Sequence, residues 1–471
     1  MNPKRDLYIH PRVSKKALQK FFDAFRPEKN EIHTLQLYHR DALLLRIAPA
    51  PYSCDDKREI YSLSKSFCST AIGFLCDDGK LSVEDRIVDL FPEKLPETVS
   101  DNLAAMRVRH VLSMNTGHAE CVMPQMIRSD DAVGTFLAQP VPFQPGTHFA
   151  YNTGATCLLS CIVEKLSGMK LIDFLTWRLF LPLGITNVRW NQVPSGQNEG
   201  GVGIHVSSDD ILKFGRLYLA GGLWNGKRLL SESWVKDATS FVSDNSFNGT
   251  DDWCAGYGYQ FWVNAREGYR GDGAFGQLCF VLPERQMVFA LQTELQDMQM
   301  EIDMLMELAD HLFDEDEEQS LVLPAYLPTS SVQKLSGMEN TFFRLEPNPM
   351  GWTGVYFLYD SEKNENQMIL SDGTDQQVLS AGNGHFAENN LFLKKFKPKL
   401  VDLMSTPHTE CCRFMASCQA ETGKLTFFLR FRNCPHRMKL TVVEENGKLT
   451  LSIDPPEMQD PDAVQVTGFA L

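Results

Sequence analysis

The sequence predicts an α+β fold followed by an all-β unit. Three observations carry this. Strand-like alternation lies at both ends of the first two-thirds of the chain, helical periodicity fills the interval, and after an acidic, proline-bearing stretch only short alternating runs remain.

In chain order, residues 12–26 place Leu18, Phe21, Phe22 and Phe25 at helical spacing, and alternating runs at 32–38 and 42–48 follow as an antiparallel hairpin. From Ser62 to Asp78 a second helix carries Phe67, Ala71, Phe74 and Leu75 on one face and stops at Gly79. Further helices are predicted at 106–114, 153–167, 170–179 and 207–220. Strands at 275–282 and 287–293 flank a turn-like Pro283-Glu284-Arg285-Gln286, and a helix over 296–313 closes the region. Strands from both ends then build one antiparallel sheet from distant segments. The run Asp314–Glu318 with Pro324 and Pro328 has the composition of a solvated linker. The expected organisation is therefore a first domain over 1–318, a linker over 319–329 and an all-β accessory domain, sandwich or barrel, over 330–471.

Composition narrows the function. A chain of 471 residues has room for several domains. With 45 Lys+Arg against 60 Asp+Glu its net charge is −15, the wrong sign for gripping phosphate backbones, so no nucleic-acid partner is expected. No apolar run reaches the ~18 residues of a membrane span, and no apolar segment follows the basic start, so a cytoplasmic location is expected. The 12 cysteines then read as small core residues, Cys157 and Cys161 among them.

Serine is a poor nucleophile until a base takes its proton. The segment 61–75 puts Ser62 at the first turn of its helix and Lys65 three residues on, so hydroxyl and amine share a face. A lysine among apolar neighbours loses part of its preference for the charged form and can serve as that base. The helix N-terminus adds unpaired N–H groups where an oxyanion would form. Ser-x-x-Lys also occurs at Ser167/Lys170, Ser233/Lys236 and Ser331/Lys334, and the competing account of Ser62 is a helix cap with Lys65 in water. The apolar surroundings distinguish Ser62 from the other three.

A second element is the turn at Pro145-Gly146 with Tyr151 just before a helix capped by Asn152 or Thr153. A phenol beside a lysine ionises more readily, so Tyr151 could relay the serine proton and later protonate the leaving group; the alternative is a half-buried core tyrosine. The third is the glycine-spaced strand around 269–277, whose small residues would let a substrate backbone lie close, or which is an edge strand with a bulge.

In this order SLSKSF (62–67), VRHVLSMNTGH (108–118), PGTHFAYNT (145–153), the run from Gly200 to Leu230, GYGYQFW (256–262) and DGAFGQ (272–277) resemble the serine β-lactamase and penicillin-binding-protein superfamily. The likeness, over about residues 10–313, is to the class C-like branch with its esterases, D-aminopeptidases and DD-peptidases. It implies a β-lactamase/transpeptidase-like α+β fold, a five-stranded antiparallel sheet flanked by helices plus an all-helical subdomain, with the active site between. By position it makes Ser62 the acylated nucleophile, Lys65 its partner, Tyr151 the tyrosine of a Tyr-x-Asn motif, and the backbone N–H groups of Ser62 and Ala274 the oxyanion hole.

Two departures stand out. Tyr-x-Asn reads Tyr151-Asn152-Thr153, so a hydroxyl replaces the amide unless Asn152 turns inward. The third motif, Lys-Thr-Gly or His-x-Gly in the family, reads Gly271-Asp272-Gly273 with Arg270 one residue earlier, which puts recognition of a substrate carboxylate in doubt. Asn152, Thr153, Arg270, Asp272 and Gly273 are the substrate-binding candidates; Asp272 would favour a substrate amine or be an exposed strand-end residue.

The resemblance thus implies a serine hydrolase working through an acyl-enzyme on Ser62 on a small ester or amide, including short peptides. The C-terminal domain would cover or shape its cleft. No metal or organic cofactor is required. The alternatives are a β-lactamase or D-Ala-D-Ala carboxypeptidase, and a non-catalytic ligand-binding homologue. His408, Cys411, Cys412, Cys418, Cys434 and His436 lack the paired C-x₂-C spacing of a zinc site, and His118 and His205 read as structural unless they line the cleft.

Overall fold

The computed structural model describes residues 6–26, 29–249, 251–315, 320–328, 336–391, 412–454 and 464–471. The acidic run is therefore described only up to Glu315, and residues 319 and 329 of the expected linker lie outside the described residues.

One antiparallel sheet organises the first part of the chain. Its strands are β1 (Leu7–Ile9), β2 (Glu31–His39), β3 (Ala42–Ile47), β4 (Trp262–Val263), β5 (Tyr269–Gly273), β6 (Gln277–Leu282) and β7 (Met287–Glu294), in the spatial order β1-β3-β2-β7-β6-β5-β4. The five central strands are those the resemblance implies, and short edge strands β1 and β4 extend the sheet to seven. The strand expected over 275–282 begins at Gln277, because Phe275 (φ 65°) and Gly276 (φ 81°) turn the chain back from β5.

Strand alternation sorts the core into two layers. Leu278, Phe280, Phe289 and Leu291 pack with Leu18 and Phe21 of helix α1 (Lys15–Asp23) and with residues of α5 (Met298–His311). Cys279, Val281, Val288 and Ala290 meet the opposite layer. There α2 (Ser64–Asp77), α3 (Thr153–Ser167) and α4 (Ser208–Leu219) share one core, in which Phe67 and Phe214 stack with centroids 4.0 Å apart. A Cβ at Gly215 of α4 would lie 2.5 Å from Val288 Cγ1 and 2.8 Å from Cys279 Sγ, so that helix sits on the sheet only because it has none. The predicted 170–179 helix is α-helical over Leu171–Leu175 and continues as π-helix over Thr176–Phe180.

The C-terminal part is a ten-stranded barrel-like sheet running from Phe342–Leu345 to Val464–Ala470. Those two strands pair antiparallel, and Gly382 pairs with Ser417 across the other side. Phe343, Phe357, Phe414, Phe427 and Leu440 fill it. Four of its strands, Gln376–Gly382, Ala387–Leu391, Cys412–Glu421 and Val464–Ala470, are not among the alternating runs read from the sequence. Barrel and first sheet meet through buried charge: Glu31 of β2 accepts hydrogen bonds from Arg430 Nη2 (2.6 Å), Arg437 Nη1 (3.0 Å) and Tyr52 Oη (2.8 Å). Among the described residues no helix is long and apolar enough to cross a membrane, and Cys54, Cys68, Cys157, Cys161 and Cys279 are buried thiols.

Candidate active site

Ser62 lies in a short 3-10 turn, Tyr61–Leu63, that leads into α2. The α2 N-cap is Leu63, and Ser62 makes no cap bond; its hydroxyl instead accepts a hydrogen bond from Lys65 Nζ at 3.0 Å. Lys65 is 1% exposed and its amine also reaches Thr153 Oγ1 at 3.2 Å and the carbonyl of Gly201 at 2.9 Å. All three acceptors are neutral, and burial pulls the amine from the usual lysine value down to about 7.

Tyr151 completes the group. Its hydroxyl hydrogen-bonds Ser62, Lys65 Nζ stands 4.7 Å from the centre of its ring, and Trp262 stacks on it at 5.4 Å. The expectation that the cation would ease ionisation of this phenol is overturned. Burial, and after it the negative Asp272, push its pKa well above the ordinary tyrosine value, and the hydrogen bond with Ser62 offsets only part of that. Desolvation disfavours whichever form is charged, so the same crevice neutralises the amine and keeps the phenol protonated.

The glycines of β5 have a different purpose from the one the sequence suggests. A Cβ at Gly273 would sit 2.1 Å from the Ile60 carbonyl oxygen, and one at Gly271 would lie 2.5 Å from Leu63 Cδ1 and 2.6 Å from Ser66 Oγ. The close neighbour is thus the protein's own 60–66 segment, which carries Ser62. Ala274, next in the chain after β5, and Phe275 pack against Tyr61 and Val202.

The remaining candidates separate. Thr153 faces the amine. Asn152 does not turn inward: fully buried, its Oδ1 caps α3 by accepting from Ala155 N (3.2 Å) and also accepts from Val122 N (3.1 Å). Arg270 is fully buried, donates Nε to Asp272 Oδ2 at 3.0 Å and Nη1 to Asn264 Oδ1 at 3.0 Å, and lies over the Trp253 ring at 4.6 Å. Asp272, expected as an amine-binding or exposed residue, is 6% exposed and belongs to that internal pair. Guanidinium and carboxylate therefore answer each other inside the protein.

His118 bonds Thr116 Oγ1 at 2.9 Å and packs on Phe136 in the helical layer, and His205 pairs in register with Glu59 on a short strand. Of the zinc candidates, His408 and Cys411 lie outside the described residues, Cys418 donates to Ala381 O, and His436 contacts Tyr61. Glu31, His33 and Glu294 lie close enough to share an ion. Arg430 and Arg437 pair with the two carboxylates and Arg58 Nη1 contacts His33 Nδ1 at 2.6 Å, so three guanidinium groups already fill the cation's place. Sequence reasoning gave no site role to the Gly201 carbonyl or Trp262, although both lie in segments that carry the resemblance, and read His436 only as a zinc candidate.

Residues 38–312, well over half of the chain, match the Beta-lactamase family model. A 6-aminohexanoate-dimer hydrolase of Paenarthrobacter ureafaciens is 26% identical over 265 residues, covering 51% of this chain and 66% of that protein. Among solved structures, a family VIII carboxylesterase superposes with a TM-score of 0.52 at 15% identity, over 65% of this chain and 99% of the other. An octameric penicillin-binding protein homologue from Pyrococcus abyssi does so with a TM-score of 0.50 at 13% identity, over 96% and 99%. At such identities the structures speak to fold, and the second extends the likeness through the C-terminal barrel. The alcohol, amine and phenol gathered at one crevice lie within the matched region, and the chain belongs to the β-lactamase family of serine hydrolases.

Proposed function

We propose that the protein cleaves small neutral esters or amides through an acyl-enzyme on Ser62. The observation that carries this is Lys65: an amine 3.0 Å from the serine oxygen whose pKa is held at about 7. In the neutral form it takes the Ser62 proton as Oγ attacks the substrate carbonyl carbon. The N–H groups of Ser62 and Ala274 receive the developing oxyanion. Tyr151, kept as the neutral phenol, gives its proton to the departing oxygen or nitrogen and regains one from the Lys65 ammonium. Water then attacks the ester with the same groups acting in turn, releasing the acid and restoring Ser62.

The internal Arg270–Asp272 pair favours a substrate without a carboxylate at the third-motif position, and so an ester or amide over a β-lactam or a D-Ala-D-Ala stem. A fluorophosphonate is expected to add to Ser62 and to leave Ser62→Ala unlabelled with an unchanged circular dichroism spectrum. Labelling that persists in Ser62→Ala, or a parent that takes no label, refutes the assignment. A panel of p-nitrophenyl esters against a chromogenic cephalosporin then separates the two substrate classes.

A further inference from the structure

The barrel reaches the nucleophile. Residues 430–437, which end one barrel strand and begin the next, run beside residues 56–61, the segment that delivers Ser62. Arg432 Nε donates to Asp56 Oδ2 at 3.0 Å, Arg58 Nη2 donates to the Phe431 carbonyl at 3.3 Å, and Glu59 N donates to the Asn433 carbonyl at 3.0 Å. At the end of this rail, buried His436 hydrogen-bonds the Tyr61 hydroxyl through Nε2.

The same imidazole meets the ring of Phe275 edge to face at 4.9 Å, and Phe275 meets Tyr61 at 5.4 Å. Tyr61 precedes Ser62 and Phe275 follows Ala274, so one side chain of the barrel touches the neighbour of each oxyanion-hole residue. Both neighbours have left-handed backbone, φ 47° at Tyr61 and 65° at Phe275. Aromatic residues adopt that conformation at a cost and keep it only where their surroundings dictate it. His436 contacts both of them.

We propose that His436 is a positioning residue for the oxyanion hole, holding Tyr61 and Phe275 so that the N–H groups of Ser62 and Ala274 converge. The barrel is then a working part of the active site. This rests on the hydrolase reading above.

The test uses the full-length protein. Labelling of the parent by a fluorophosphonate comes first, since a parent that takes no label removes the hydrolase reading and this proposal with it. Given a labelled parent, His436→Phe keeps the ring contact but loses the hydrogen bond, Tyr61→Phe loses it from the other side, and His436→Gln restores a polar partner. For a p-nitrophenyl ester we expect His436→Phe and Tyr61→Phe each to lower kcat about ten- to a hundredfold, the size of effect that small misplacements of reacting groups produce, with KM changed little. The double variant should be no slower than His436→Phe alone, and His436→Gln should recover most of the rate. Parental kcat in His436→Phe, losses that multiply in the double variant, or a Gln variant as slow as Phe would each overturn the proposal while leaving the hydrolase reading in place. If His436→Phe melts early, Tyr61→Phe decides the matter by the same criteria.

Discussion

Below about pH 7 the Lys65 amine carries a proton and cannot accept one from Ser62; above it the lone pair is available. The sign is set by burial, which lowers the amine's pKa, so kcat/KM for a neutral ester should rise with pH through about 7 and then level. A profile flat between about pH 5 and pH 9 would remove Lys65 as the base. Tyr151 contributes no second limb in that range, because burial and Asp272 hold its proton on. At this scale the sequence exposed the identities and missed one sign. Ser62 and Lys65 are three apart on one turn, a relation any helix preserves, whereas the protonation of Tyr151 depends on how deeply Trp262, Tyr257 and Asp272 enclose it.

Among elements, the contact between β5 and the turn that carries Ser62 is sensitive to a single atom. Gly273→Ala introduces a Cβ 2.1 Å from the Ile60 oxygen, a backbone atom that cannot swing aside, so strand or turn must shift. We expect hydrolysis to fall at least tenfold with about 1–3 kcal/mol of destabilisation, measured by ester turnover and denaturant unfolding on the same preparation. Full parental activity would show that β5 does not set the position of Ser62. The glycine spacing was visible in the sequence, but its partner was not. The helix expected over 207–220 has its bounds, with Ser207 accepting from Asp210 N, whose carboxylate takes the Ser207 N–H in return, whereas the one expected over 12–26 is shorter and starts at Lys15 after Ser14 accepts from Ala17 N.

For the whole molecule, the barrel and the hydrolase sheet are joined through Glu31, a carboxylate with no exposed surface that is shared by Arg430 and Arg437. Glu31→Gln would leave buried Arg430 without its counter-charge and Arg437 with Glu294 alone, a change that costs about 3–5 kcal/mol. Calorimetry should then resolve the barrel as a separate, earlier transition. If Glu31→Gln unfolds in one transition at the parental temperature, the ion cluster does not hold the two parts together.

What the residues determined unaided is whatever depends on near neighbours in the chain. That includes the amphipathic helices, the hairpin of β2 and β3, the alternating runs of the barrel, and the serine and lysine brought together by one helical turn. Tertiary structure alone decided the rest: which charges are spent inside the protein, as Arg270 and Asp272 are, which state a buried phenol or amine keeps, and that His436 from the far end of the chain stands against Tyr61, the neighbour of Ser62. Charge state follows desolvation, and desolvation is a sum over every segment that happens to pack nearby, a quantity no short stretch of sequence contains.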